Sequence, residues 1–266
     1  MHRPIVTLTT DFGPTSSYVA QMKGVLLTIE PELRIVDVTH SVPPQDVRYG
    51  ACVLAEIAEH FPVDAIHVAV VDPGVGTNRP LACASCGGRR FLAPDNGLFD
   101  RVLHATRLEF AVVLRESTYW SPRVSRTFHG RDILAPVAAR IAQGLDPRLL
   151  GPAYPLAVRL AWSAVRPTTS GGVGEVERVD AFGNLLTNIE EREWGERLRR
   201  DRGTIRCGET RGIELVGTYG ERPEGAVVAL FGSSGRLEIA VVNGNAARQL
   251  NCQVGAEIEW YGSPPH

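Results

Sequence analysis

The run Ala65-Ile66-His67-Val68-Ala69-Val70-Val71 is apolar except at His67. Such a run reads as a strand buried on both faces, as in a parallel sheet covered by helices on either side. It leads into Asp72-Pro73-Gly74-Val75-Gly76-Thr77-Asn78-Arg79. Pro73, Gly74 and Gly76 force a tight loop, and Arg79 follows Asp72 closely enough to share a site with it. In open sheets of this kind ligands bind beyond the carboxyl ends of the strands. The acid and the guanidinium therefore stand where chemistry is expected.

The flanking sequence continues the same rhythm. Residues 5–9, 35–38, 91–93 and 110–114 read as further strands. Residues 17–29, 46–60 and 132–143 carry apolar positions at helical spacing, the last despite Pro136. This alternation predicts an α/β domain with a mainly parallel sheet and helices on both faces. Residues 163–172 are rich in Ser, Thr, Pro and Gly and read as a linker. Short glycine-punctuated strands follow at 174–179, 203–207, 213–219, 226–231, 237–242 and 257–261, which predicts a small all-β barrel or sandwich. The expected organisation is a first domain over 1–165, a linker over 166–172 and a second domain over 173–266.

Composition narrows the partners. The 44% apolar and 22% charged content is that of a globular chain that can bury a core. A net charge of −2 with scattered basic residues points away from nucleic acid or a membrane surface. Met1-His2-Arg3-Pro4 runs straight into the first strand, which leaves no room for a leader, and no run has the length of a membrane span. A cytoplasmic location is the resulting expectation. Of five cysteines, Cys83 and Cys86 form a lone CxxC with no second pair to complete a metal site, so structural thiols and no metal are expected.

Other motifs add chemistry. Thr9-Thr10-Asp11-Phe12-Gly13 ends the first strand, and the Asp11 carboxylate could accept two ribose hydroxyls, although a turn or cap aspartate would read alike. Thr127-Phe128-His129-Gly130-Arg131-Asp132 supplies an imidazole. With Asp72 and Arg79 it could hold and activate a water. In the β region, Asp180-Ala181-Phe182-Gly183-Asn184 offers a ring to stack on a base and an amide suited to an adenine edge, or simply a hairpin turn. Gly232-Ser233-Ser234-Gly235 could hold a carboxylate through hydroxyl and amide groups, or be an ordinary polar turn.

Taken in order, these segments resemble one family. It is the S-adenosyl-L-methionine hydroxide adenosyltransferases, adenosine-forming hydrolases related to fluorinase and chlorinase. The likeness extends over nearly the whole chain. It includes Asp37-Val38-Thr39-His40, Pro94-Asp95-Asn96-Gly97 and the region from Gly232 to Asn245. The resemblance implies a Rossmann-like N-terminal domain and a C-terminal β-barrel. It implies a homotrimer, with ligand between one subunit's N-terminal domain and a neighbour's C-terminal domain. Asp72, Arg79 and His129 fall on the family's catalytic set and Asp11 on its ribose contact. Asp180, Phe182, Asn184, Ser233, Glu238 and Val241 fall on adenine and methionine contacts. The halogenase branch has tyrosine at the position of Asp72, serine at that of Gly130, an added loop where residues 79–91 are short, and an aromatic at Gln45.

The implied reaction is attack of water or hydroxide on ribose C5′ of S-adenosylmethionine, releasing adenosine and L-methionine without a cofactor. Methionine leaves as a neutral thioether and needs no general acid. Arg79 stays protonated and cannot be the base, which leaves Asp72 and His129 as proton acceptors that the sequence does not rank. The alternatives are a halogenase of the same superfamily and a non-catalytic module that binds S-adenosylmethionine or adenosine. A metal-dependent phosphoesterase would need a His/Asp cluster with ligand spacing, which is missing here.

Overall fold

The computed structural model describes residues 4–200 and 204–261. Met1-His2-Arg3, read above as leaving no room for a leader, and Gly203, read as opening a strand, lie outside the described residues. The chain divides into two compact units, Met1–Leu160 and Ala161–His266.

The first unit begins β1 (Ile5–Thr10), α1 (Tyr18–Ile29), β2 (Arg34–Thr39), α2 (Val47–Ala58) and β3 (Ile66–Val70). It continues β4 (Leu81–Cys86), β5 (Arg89–Pro94), α3 (Asp100–Ala105), β6 (Leu108–Val113) and α4 (Ala135–Ala142). Its sheet has the order β2-β1-β3-β5-β4-β6. β2, β1, β3 and β5 pair in parallel, whereas β4 pairs antiparallel with both β5 and β6. The sheet is thus mixed, parallel over β2-β1-β3-β5 and antiparallel at β4 and β6. The reason is a tight hairpin at Gly87-Gly88, where both residues take positive φ (56° and 78°), the geometry that turns a chain straight back on itself.

Period-2 alternation sends β3 side chains to two separate cores. Val68 and Val70 join Val19, Met22 and Leu26 of α1 and Val137 and Ala138 of α4. Ala69 and Val71 join Leu54 of α2 and Phe99 and Val102 of α3. Helices therefore cover both faces, as the apolar run 65–71 required.

The second unit comprises β7 (Arg166–Pro167), β8 (Gly171–Val179), β9 (Leu185–Glu190), α5 (Glu191–Arg200), β10 (Thr204–Cys207), β11 (Thr210–Leu215), β12 (Val227–Phe231), β13 (Arg236–Val241), α6 (Ala246–Gln249) and β14 (Glu257–Tyr261). The strand order β14-β10-β11-β12-β13-β9-β8 closes through β14–β8 pairing into a barrel, with β7 appended to β8. Closure removes the exposed sheet edges. Two findings amend the sequence reading. The polar stretch 163–172 already contains β7 and the start of β8. The unit is also not all β, because α5 buries Trp194 and Leu198, one turn apart, in the barrel core. The Trp194 ring meets that of Trp260 edge to face at 5.2 Å.

Candidate active site

Asp11 and Asp72 leave the carboxyl ends of adjacent parallel strands, since Thr10 of β1 registers with Val70 of β3. The loop after Asp72 is built by its own hydrogen bonds. Val75 N donates to Asp72 O at 3.2 Å, and Thr77 donates to Gly74 O through both N (3.1 Å) and Oγ1 (2.7 Å). Gly76 takes φ +82°, and a Cβ there would lie 2.7 Å from the Arg126 carbonyl oxygen. Only glycine meets both demands.

The motif Pro94-Asp95-Asn96-Gly97 secures the two ends of this loop. Asn96 Nδ2 donates to Val71 O at 2.8 Å, continuing by side chain a ladder whose backbone pairing ends at Val68 and Leu92. Asp95 N donates to Pro80 O at 2.9 Å. The distance between the ends, and so the approach of Arg79 to Asp72, is set from outside the loop.

Within it, Arg79 grips Asp72 side-on. Nε donates to Oδ1 (2.7 Å) and Oδ2 (2.8 Å), and Nη2 donates to Oδ2 (2.5 Å). The side chains are only 10% and 7% exposed, so water screens this pair little. Arg79 Nη2 also lies 2.9 Å from His129 Nδ1. A guanidinium has no acceptor, so Nδ1 must be the acceptor and the imidazole carries its proton on Nε2. Burial, and then the charge of Arg79, hold the His129 pKa below its ordinary value; Asp72, Asp132 and a backbone hydrogen bond with Ser125 oppose this. The ring is therefore neutral near pH 7.

His129 is placed by a π-helical turn over Gly130–Leu134. A Cβ on Gly130 would sit 3.2 Å from Val70 Cγ2 and 3.4 Å from Met22 Sδ, so the turn packs closely on β3. Asp132, 3% exposed, accepts from Ser125 N at 2.7 Å and from Arg131 Nε at 2.6 Å. Phe128 meets Phe12 and Tyr18 edge to face at 5.6 and 5.1 Å, joining this turn to the segment after β1. There Asp11 Oδ2 accepts from Gln45 N at 2.8 Å, with Gln45 at φ +65°.

Within the second unit, Asp180, Phe182 and Asn184 share one turn. Asp180 Oδ1 accepts from Phe182 N (2.9 Å) and Asn184 N (2.8 Å), and Oδ2 accepts from Asn184 Nδ2 (3.0 Å). Phe182 is left 77% exposed. Ser233 is exposed in the β12–β13 turn. Glu238 lies on β13, opposite Leu186 of β9. Val241 ends β13, but its side chain packs in the barrel core, leaving its backbone as the part that could meet a ligand. The sequence reading missed Tyr219, whose hydroxyl donates to Glu238 Oε2 at 2.8 Å. Burial, then Glu238, then the charge of Asp180 raise the Tyr219 pKa, which puts all three in one neighbourhood. No motif flags an isolated tyrosine in a glycine-rich loop.

Cys83 and Cys86 sit three apart on β4 and face opposite cores, so they cannot converge on one ion. Burial pushes both thiols up to about 12. Among the described residues no three His, Cys, Asp or Glu side chains form a metal-binding group, and no helix is long and apolar enough to cross a membrane.

A mixed α/β unit with a half-buried Asp-Arg-His cluster beyond its strand ends, followed by a closed barrel, defines a two-domain architecture that comparison places directly. Residues 6–151 match the SAM hydroxide adenosyltransferase N-terminal domain and residues 174–259 the corresponding C-terminal domain. The chain belongs to that family. A protein of Thermus thermophilus named (R)-S-adenosyl-L-methionine hydrolase is 40% identical over 264 residues, covering 96% of this chain and 98% of its own. One of the same name from Salinispora arenicola is 38% identical over 258 residues, with 96% and 97% covered. A crystal structure of a conserved protein from Thermotoga maritima superposes with a TM-score of 0.90 at 32% identity, covering 97% of this chain and 99% of that one. A Nocardia brasiliensis fluorinase is more distant, at 26% identity over 292 residues.

Proposed function

We propose that this protein hydrolyses S-adenosyl-L-methionine to adenosine and L-methionine. The observation that carries the reading is the contact set Asp72–Arg79–His129, in a chain similar over nearly its full length to proteins named for that hydrolysis. In the step proposed, a water oxygen bonds to ribose C5′ as the C5′–S bond breaks, its electron pair passing to sulfur. The water's proton passes to the Asp72 carboxylate and then to solvent. Asp72 is the better acceptor because His129 Nδ1 already receives a hydrogen bond from Arg79 and Nε2 holds the imidazole's proton. His129 thus positions the guanidinium, and Arg79 stabilises hydroxide character on the attacking oxygen. No cofactor is needed for the step as written.

The remaining assignments belong to the same proposal. Asp11 binds the ribose hydroxyls. Asp180, Phe182, Asn184, Ser233, Glu238 and the Val241 backbone receive adenine and the methionine moiety. The N-terminal unit acts as a Rossmann-like module over 1–165, joined through 166–172 to the barrel over 173–266. A homotrimer in the cytoplasm, with each site shared between neighbouring subunits, completes the reading. Asp72 and Gly130, in place of the tyrosine and serine of halogenases, favour water over halide.

The test is incubation with S-adenosylmethionine, including its (R) form, in ¹⁸O-labelled water with and without halide. Adenosine carrying the label at the 5′ oxygen is the expected product. Halide-dependent 5′-halo-adenosine would make the protein a halogenase. Tight binding without turnover would make it a non-catalytic module.

A further inference from the structure

A cavity of about 330 Å³ opens beside Arg79 and His129, lined by the first unit alone. Asp72 is not among its lining residues. Arg79 uses Nε and Nη2 for Asp72 and Nη2 again for His129. Its Nη1, with two N–H donors, has no acceptor among the described residues. Arg115 also lines the cavity; it is exposed, and its side chain has no partner among the described residues. No Asp or Glu lines the space. Leu114, Trp120, Val124 and Ile133 supply an apolar part of the wall, beside the polar Thr77, Asn78 and Tyr154.

We propose that this cavity is a second ligand site, for a small monocarboxylate with an apolar tail, held by Arg115 and the Nη1 edge of Arg79. The chemistry selects that class. Two cationic donors with no lining acid call for an anion. The apolar part of the wall favours a carboxylate with a hydrocarbon tail over a fully hydrated inorganic ion. An α-amino acid fits worse, since its ammonium would face two guanidinium groups unpaired. Asp72 is already engaged by Arg79, and Asp95, behind Tyr154, already accepts that hydroxyl at 2.7 Å. Occupancy would place a negative charge on the guanidinium that grips Asp72. Resting on the hydrolase reading above, the ligand should therefore slow hydrolysis without competing with the sulfonium substrate.

Isovalerate, its neutral amide 3-methylbutanamide and leucine are the probes, at constant ionic strength, read by calorimetry and by the fluorescence of Trp120. A Trp120→Phe variant identifies that residue's signal among the four tryptophans. Isovalerate should bind saturably at millimolar concentration, with the amide and leucine about tenfold weaker or worse. Arg115→Ala should weaken isovalerate about tenfold while leaving hydrolysis in its absence unchanged. Inhibition by isovalerate should lower kcat and leave KM in place. No saturable binding below about 50 mM, equal binding of the amide, or indifference to Arg115→Ala would each overturn the site. Inhibition purely competitive with S-adenosylmethionine would move the ligand to the substrate pocket. The binding arms need no turnover, so failure of the hydrolase reading leaves them decisive.

Discussion

Protonating His129 would set an imidazolium against Arg79, because its Nδ1 receives Nη2 of that guanidinium. Its pKa is depressed, so the neutral form prevails above the ordinary histidine value of 6.5 and is lost as pH falls through the lower, folded value. Activity should therefore drop on the acid side, with an apparent pKa below 6.5 in a kcat–pH profile. Asp72→Asn, Arg79→Ala and His129→Ala should each lower kcat about a hundredfold or more, with smaller changes in KM, in steady-state assays. Near-normal kcat in all three would remove the water-activation model. His67 gives a parallel prediction for stability. It is fully buried, stacked on Phe91 at 5.0 Å, and burial pushes its pKa down to about 4. The unfolded chain takes up this proton below about 6.5 while the folded one does not, so stability falls as pH drops from 6.5 towards 4, by roughly 3 kcal/mol in full. Urea unfolding at pH 7 and 4.5 should show a smaller loss in His67→Phe than in the parent.

At the scale of elements, the loop between β3 and β4 is where geometry is least forgiving. Gly76→Ala should cost roughly 1–3 kcal/mol, because a left-handed residue would meet the Arg126 carbonyl, and should lower kcat by moving Arg79. Thermal unfolding and kinetics on one preparation test both effects. Asp72 and Arg79 were legible because charged residues at a strand end leave a local mark, turn formers after an apolar run, and His129 because it stands in a polar turn with Arg131 and Asp132. Asn96 and Asp132 stood inside quoted motifs, but their work was not legible there, since it is to donate to the Val71 carbonyl and to accept from the Ser125 amide and Arg131. β4 was hidden because its two thiols read as a motif rather than as strand positions. α5 was hidden because only Trp194 and Leu198 are apolar anchors in an otherwise charged run. Tertiary packing, absent from a local pattern, decided both.

At the scale of the molecule, the candidate residues divide between two compact units, Asp11, Asp72 and His129 in the first and Asn184 and Ser233 in the second. If sites form between subunits as proposed, mixing an Asp72→Asn chain with an Asn184→Ala chain should restore activity on subunit exchange, since some hybrid sites carry neither lesion. Confirmed exchange with activity no higher than either parent would show that each site is built within one chain. The two-unit organisation was visible in the shift from alternating strands and helices to glycine-punctuated strands. The barrel's closure was not, because pairing of β8 with β14 joins residues as far apart in sequence as Gly171 and Tyr261.

Cys83 and Cys86, one chain segment with a thiol in each core, form a pair of internal clocks. An alkylating reagent reaches Cys83 only when the layer of α1 and α4 lifts, and Cys86 only when that of α2 and α3 does. Labelling both at one rate would mean that the sheet sheds its two coats in a single event. A faster Cys86 would mean that the coat over Ala69 and Val71 peels first, baring the root of the Asp72 loop while the opposite side still holds.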